Sequence, residues 1–487
     1  MTIRRILLPA SERGNDPADH AGDDDYAQNL RDRIRIVSDA DNGDDAPPEP
    51  GEALTEDACA LAFKSRHPNY AYTPAFGAWH CYDPERAAWV QDTRLQHMTL
   101  MRALVRELAP DKLHKASAIA GAISLARSNP GVAMSADQWD ADVLLLGTPG
   151  EVIDLRTGKA VDRPRECHIT RQTAVRAAPA GTPIPVWEAF LERVTRHAPL
   201  LKIYLQRIFG YALTGSTREQ SLFFANGPGA NGKSVFLGVL TGILGDYAHV
   251  ASGDLLLASN GDRHPTDMAS LRGKRLVTAS ELRPGGRWDE QRLKSLTGGE
   301  AITARFMRQD EFTYMPQLTL IIAGNHRPSF AGVDEAIRRR MRLIPFTQVI
   351  PAEERDLELP EKLRAEWPGI LRWAIDGCLA WQQEGLALPD SVKLASEAYM
   401  ESEDSLGQWV ADRIDLCGNL CGTDCKASEL RKDLYEDWLE WVQKNGGPKW
   451  SAKAFYRALE ERGFEAHKNG AGDRGFRHVM RRPRSSA

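Results

Sequence analysis

The sequence predicts a multidomain α/β protein, with a phosphate-loop core preceded by an α+β region and followed by a winged helix-turn-helix module. Three observations lead there. Gly227-Pro228-Gly229-Ala230-Asn231-Gly232-Lys233-Ser234 satisfies GxxxxGK[ST], with the β-type run Leu222-Phe223-Phe224 before it and a helical run, Val235 to Leu244, after it. Short apolar runs (SLFFANG, KRLVTASE, LTLIIAGN, MRLIPF) alternate with helical stretches from Ser221 to Phe346, which is the texture of a largely parallel sheet. Two amphipathic stretches, Ser428 to Gln443 and Ser451 to Arg462, precede a hairpin pattern from Phe464 to Val479 whose turn falls within Asn469-Gly470-Ala471-Gly472.

The regions follow in chain order. Residues 1–53 form an acidic head. Fifteen acidic against six basic residues up to Asp57 give −9, which leaves +4 for the rest of a chain of net charge −5. Its Pro/Gly-rich stretch from Asp39 to Glu52 has nothing to bury and is expected to be disordered. Residues 54–180 read as an α+β domain. AWHCYDP and AAWVQD are strand, turn and strand; Met98 to Arg127 is helical with Pro110 interrupting; Val143 onward is strand, turn and strand again. No catalytic constellation stands out in this region. Residues 181–385 are the core, with helical periodicity from Val186 to Thr214 leading in and from Glu361 to Glu384 leading out. Residues 386–487 are a linker, the winged module and a basic tail, in which six cations from His467 onward face Asp473 alone.

Composition excludes several classes. At 42% hydrophobic and 26% charged the chain is an ordinary globular sequence. No apolar stretch approaches the ~20 residues of a membrane span. The apolar patch at Ile6-Leu7-Leu8 is shorter than the ~7–15 residues of a signal-peptide core. The reading is therefore cytoplasmic, with no membrane. Seven cysteines, an odd number, suit reduced thiols. Cys417, Cys421 and Cys425, four residues apart, could ligate zinc but lack a fourth partner; cysteines in a glycine-containing loop are the plainer reading.

The phosphate loop implies ATP with Mg²⁺. Glycines let backbone N–H groups wrap phosphates at a helix N-terminus, Lys233 would reach the β- and γ-phosphates, and Ser234 would hold the metal. Downstream, Arg275 to Ser280 is an apolar strand ending on Glu281, placed to act as the base that orients the attacking water; a surface Glu at a strand end is the alternative. Ser280 stands where a second acid could support Mg²⁺, so Glu281 carries the acidic role alone. Leu318 to Ala323 is another buried-type strand, closing on Asn325, which would sit beside the γ-phosphate or serve a turn. Arg338, Arg339, Arg340 and Arg342 then fill four of five positions. Such a run is usually a solvated face, but it leads into the strand Leu343-Ile344-Pro345-Phe346. Arg339 or Arg340 could therefore reach a phosphate bound by a neighbouring subunit.

Together these residues carry a resemblance. The order of phosphate loop, strand-Glu281, Lys294-x-x-Thr297-Gly298-Gly299-Glu300-x-Ile302-x-x-Arg305, Asn325-x-x-Pro328 and Arg339-Arg340 resembles superfamily 3 helicases, more narrowly the phage/plasmid primase-helicase family. AWHCYDPERAAWVQD, GEVIDLRTG and LQRIFGYALTGSTREQ resemble that family's region before the motor, so the likeness covers most of the chain from Leu54. The family implies an AAA+-type core, a homo-hexamer, and single-stranded DNA passing through the ring. It also implies a DNA-contacting hairpin between the Glu281 and Asn325 strands, where Arg305 and Arg308 lie, with Lys294 on the helix leading in. Arg305 pairing with Glu300 or Asp310 as scaffold is the alternative. Members often carry a primase domain upstream; Asp39-x-Asp41 is the one acidic pair available there, and primer synthesis by this chain is not inherited.

The expectation is an ATP-dependent DNA helicase for replication of a phage or plasmid-like element in a bacterial cytosol. Its 3′–5′ polarity comes from the resemblance alone. The winged module and basic tail would add origin duplex DNA, and a replicative polymerase or primase would be a further partner. Two rivals remain: a replication-initiation or loader ATPase without processive unwinding, and a phosphate-loop small-molecule kinase.

Overall fold

The computed structural model describes residues 55–108, 115–258, 266–280, 282–308, 310–330, 332–416, 427–445, 449–468 and 472–482. The expected disordered head, Glu281, and the cysteines Cys417, Cys421 and Cys425 lie outside them. The chain divides into two compact units, Met1–Cys81 with Gln91–Ala136, and Tyr82–Val90 with Asp137–Ala487.

The first unit opens on α1 (Glu56–Arg66), capped by the Thr55 hydroxyl, which accepts from the Ala58 N–H at 3.1 Å. Strand β1 (Tyr70–Thr73) pairs antiparallel with β2 (Ala78–Asp83), Tyr70 opposite Cys81; β3 (Ala88–Gln91), which follows in the chain, falls almost wholly in the second unit. Helices α2 (Gln96–Leu108) and α3 (Ala116–Ala126) fall in the stretch read as helical; the Pro110 expected to interrupt it lies outside the described residues. Phe63, Trp79, Met101, Leu104 and Ile123 form this unit's core. At the start of α2 the Asp92 carboxylate accepts the N–H groups of Gln96 and His97 and meets the His97 ring at 2.7 Å. Burial is the largest single influence and pulls the Asp92 carboxyl up, but these bonds and the His97 ring together outweigh it and hold the carboxyl below its usual range.

The second unit continues with an antiparallel sheet of β4 (Leu145–Thr148), β5 (Glu151–Asp154) and β6 (Lys159–Ala160). The single helical stretch expected from Val186 to Thr214 is two helices, α4 (Pro185–Val194) and α5 (Pro199–Ala212). The chain turns between them through Arg196 and His197, both at positive φ, ahead of Pro199.

The core sheet is five parallel strands: β7 (Leu222–Asn226), β8 (Ala248–Ser252), β9 (Leu276–Ser280), β12 (Thr319–Gly324) and β13 (Met341–Pro345), in the spatial order β13-β7-β12-β9-β8. Alternate residues feed opposite faces, as a strand period of two requires. Phe223, Ala225, Ile321 and Ala323 pack with α4, α5, α6 (Lys233–Leu244) and, beyond the sheet, α10 (Leu359–Glu384). Phe224, Ile322, Val277 and Ala279 pack on the other face with the short α7 (Thr266–Ala269), α8 (Glu290–Gly298) and α9 (Glu335–Arg338). A small hairpin, β10 (Ile302–Ala304) with β11 (Phe312–Tyr314), leaves this layer.

Within the stretch read as linker, α11 (Asp390–Glu403) packs on edge strand β13, where the Ser396 hydroxyl accepts the Leu343 N–H at 2.8 Å. Next come α12 (Ser405–Arg413), β14 (Ile414–Leu416), β15 (Ser428–Leu430), α13 (Arg431–Asn445), α14 (Ala452–Glu461), β16 (Ala466–Lys468), β17 (Arg474–Arg477) and β18 (Val479–Arg481). The Ser451 hydroxyl caps α14 by accepting the Ala454 N–H. The helix expected from Ser428 starts only at Arg431. Its first three residues pair with β17 instead, giving a sheet ordered β15-β17-β16. Trp409, Trp438 and Phe455 centre this module. No helix among the described residues is long and apolar enough to cross a membrane.

Candidate active site

The phosphate loop leaves β7 at its C-terminal end and enters α6, as the motif requires. Gly227 lies under the backbone of the neighbouring strand: a Cβ there would sit 1.9 Å from the Phe346 carbonyl oxygen. Gly232 takes φ +86°, and a Cβ on it would meet Val194 at 2.6 Å. Asn231 is buried and pins the loop by donating its amide to the Phe346 carbonyl at 2.7 Å. The Ile350 N–H donates to the Ala230 carbonyl at 2.8 Å. Pro228, Gly229 and Ala230 face solvent, and among the described residues none of the N–H groups from Gly229 to Gly232 donates to another backbone carbonyl. A ring of unspent donors at a helix N-terminus is an anion cradle.

Lys233 sits inside that cradle, 6% exposed. Its ammonium donates to the Gly227 carbonyl at 2.8 Å, to Asn231 Oδ1 at 2.9 Å and to the Pro228 carbonyl at 3.3 Å. No carboxylate pairs with it among the described residues, and burial lowers its pKa to about 8. A buried cation held only by neutral oxygens suits an anionic ligand, so the loop fits a nucleotide phosphate chain. Ser234 is exposed on the first turn of α6. The described residues contain no cluster of three or more His, Cys, Asp or Glu that could hold a metal by itself. Ser234 could give one oxygen to a Mg²⁺ carried on bound phosphates.

Around the loop, the sheet order sets what can meet. Strand β12 lies between β7 and β9, with Gly324 opposite Asn226 and Ile322 opposite Ala279. The end of the strand leading to Asn325 therefore separates the phosphate loop from Ser280, beyond which Glu281 follows in the chain. Asn325 is exposed on the turn after β12. Two residues that sequence reading passed over tie these ends together. Asn226, nearly buried, donates its amide to the Gly324 carbonyl at 3.1 Å and accepts Arg327 Nε–H at 2.9 Å. The signals were a polar residue closing an apolar strand and a cation inside Asn325-x-x-Pro328.

The arginine cluster divides by environment. Arg338 bonds Asp404 at 2.9 Å. Arg340 is buried, with Nη1 on the Ala336 carbonyl at 2.9 Å, Nε on the Thr297 hydroxyl at 3.2 Å and Nη2 on Gln220 at 3.3 Å. Burial and the charge of Arg339 lower its pKa. Arg339 is exposed, without a side-chain partner among the described residues. Lys294 pairs with Asp334, which also caps α9 through the Ile337 N–H at 2.8 Å.

The hairpin leads out to Arg305, Phe306, Met307 and Arg308, all exposed. Phe306 stacks on Phe312 with centroids 5.7 Å apart, and Arg308 holds φ +59° at the turn. Arg305 makes no ion pair with Glu300 or Asp310 among the described residues, so the tip offers two cations beside an aromatic face.

Comparison with known proteins places the chain. Residues 60–196 match the family described as D5 N terminal like, and residues 225–340 match a family of unknown function, DUF5906. Primase D5 of fowlpox virus is 29% identical over 147 residues, 29% of this chain and 18% of that protein. The chain resembles viral D5-type primase and helicase proteins. The provisionally named helicase L207/L206 of Acanthamoeba polyphaga mimivirus is 24% identical over 264 residues, 50% of this chain and 27% of that relative. The chain spans about a quarter or less of the length of the curated relatives it matches. Its fold resembles the apo A form of the NrS-1 C-terminal region, with a TM-score of 0.52 at 10% identity, covering 88% of this chain and all of that one.

Proposed function

We propose that this chain is an ATP-dependent DNA helicase for replication of a phage- or plasmid-like element, with an AAA+-type superfamily 3 core working as a homo-hexamer. The observation that carries the proposal is the buried Lys233 ammonium, without a carboxylate partner among the described residues, in its cradle of loop amides, with the Asn325 strand next to it. Triphosphate draws Lys233 from the loop carbonyls onto its β- and γ-oxygens. Ser234 would hold Mg²⁺, which when bound would supply neutralisation of phosphate charge. Glu281 takes a proton from the water that attacks the γ-phosphorus, ADP departs, and Asn325 orients that water. Arg339 of the next subunit stabilises the transferring group. It is favoured over Arg340, whose guanidinium is already spent on Ala336, Thr297 and Gln220.

DNA is held by Arg305 and Arg308 at the hairpin tip, with Lys294 at its base, through contacts that read phosphates rather than sequence. The α12-to-β17 module has the helix and strand order of a winged helix and contacts origin duplex, with α14 as the reading helix.

Strand displacement tests the reading. Wild type should separate a tailed duplex with ATP, and Lys233→Ala should not. ATP hydrolysis stimulated by single-stranded DNA without displacement would favour a loader. Hydrolysis indifferent to DNA would favour a kinase.

A further inference from the structure

Arg327 stands at the C-terminal edge of the sheet, exposed, with most of its hydrogen-bonding capacity unused. Its Nε–H donates to Asn226 Oδ1 at 2.9 Å, and its guanidinium lies over the Tyr399 ring, 5.7 Å from the centroid. The two terminal nitrogens make no hydrogen bond among the described residues. Other arginines here behave differently. Arg275, 3% exposed, spends its fork on the Leu213 and Leu145 carbonyls, both at 2.7 Å, and Arg340 engages three acceptors. A guanidinium that only braces a fold ordinarily uses its planar fork. Arg327 is instead held by its inner nitrogen, leaving the fork free for an anion.

Its anchor joins both halves of the site. Asn226 directly precedes Gly227, and its other amide bond goes to Gly324, directly before Asn325. Behind Arg327, the Tyr399 hydroxyl donates to the Pro328 carbonyl and accepts from Trp288 Nε1 at 2.9 Å. Glu403 accepts the Phe330 N–H at 3.2 Å. Burial raises the Glu403 carboxyl, and the Phe330 N–H and the Arg327 charge pull it back. Tyr399 and Glu403 both lie on α11, which runs directly into Asp404 and the terminal module.

We infer that Arg327 reads the γ-phosphate within its own subunit, its free fork taking a terminal phosphate oxygen and its release from Asn226 and Tyr399 passing that state to α11. This rests on the phosphate loop being an ATP site. On this assignment Arg327 acts in cis, whereas the finger proposed for Arg339 acts in trans.

Binding of fluorescent ADP and of a non-hydrolysable fluorescent ATP analogue to the full chain tests it, alongside thermal melting. Arg327→Ala should weaken the triphosphate about tenfold or more, the scale of one charge-assisted hydrogen bond. ADP should change less than about twofold, and Arg327→Lys should recover part of the loss. Equal weakening of both nucleotides, or of neither, overturns the inference. Lys233→Ala should weaken both. If wild type and Lys233→Ala bind alike, the ATP-site reading itself has failed, a distinguishable outcome. Subunit mixing gives a second readout. Arg339→Ala with Lys233→Ala should regain ATPase, because one interface is whole. Arg327→Ala with Lys233→Ala should not, and rescue there overturns the in-cis assignment.

Discussion

Lys233 is buried among carbonyl oxygens, and the loss of hydration brings its pKa to about 8 from 10.5. Between those values the folded chain has released a proton that the unfolded chain keeps, so this group's contribution to stability rises with pH across that window. Phosphate binding works the other way, because it restores the charged ammonium. ATP affinity should therefore fall as pH rises past about 8, by up to roughly tenfold per unit. Calorimetry in buffers of different ionisation heat should show proton uptake on binding, and Lys233→Arg should remove it; a pH-flat wild type would contradict the burial argument. Gly227 and Gly229 make a second contrast. Gly227→Ala drives a Cβ into the Phe346 carbonyl, whereas a Cβ on Gly229 meets nothing within 4 Å. Melting should show the first destabilised by about 1–3 kcal/mol, with nucleotide binding lost, and the second nearly unchanged.

At the scale of elements, the DNA grip proposed for the β10–β11 hairpin is directly testable. Arg305→Ala with Arg308→Ala should weaken single-stranded DNA binding while leaving basal ATPase in place. The slope of log affinity against log salt should shrink by about 0.7 for each phosphate that the tip no longer neutralises. Phe306→Ala should cost roughly 1–3 kcal/mol if a base stacks there, with little change in salt slope. An unchanged slope in the double variant would remove the tip from the DNA path. The hairpin was legible only through resemblance, since three-residue strands leave little periodicity. The four apolar runs of the core were legible from composition because each is buried on both faces. Strand β8 was not, because at the sheet edge Ala248-His249-Val250-Ala251-Ser252 is only partly buried and Val250 is 64% exposed. The Ser428–Leu430 strand read as helix because Leu430 and Leu434 fall four apart, and only pairing with β17 decides otherwise. The division of labour among Arg338, Arg339 and Arg340 depends on Asp404, Thr297 and Gln220, which are distant in sequence.

For the second unit taken whole, Asp404 is the joint between the parallel-sheet core and the terminal module. It is 9% exposed and accepts from Arg338 of the arginine cluster at 2.9 Å, from Arg462 at the end of α14, and from the Gly407 N–H at 2.9 Å, which caps α12. One carboxylate thus links the α9 segment, the entry to the module and its second long helix. Asp404→Ala removes a cap, worth about 1 kcal/mol, and leaves two half-buried guanidiniums without their acceptor. The combined loss should be about 2–4 kcal/mol. It should fall on the docking of the module rather than on its interior, because Trp409, Trp438 and Phe455 pack independently of Asp404. Proteolysis should cut faster near the α11–α12 junction, while the released fragment keeps its near-ultraviolet tryptophan signal. Arg462→Ala should give a smaller effect, since Asp404 retains Arg338. Loss of the tryptophan signal together with cleavage would mean that Asp404 holds the module's own fold, and an unchanged cleavage rate would mean that the apolar contacts of α11 and α12 hold the two parts together without it.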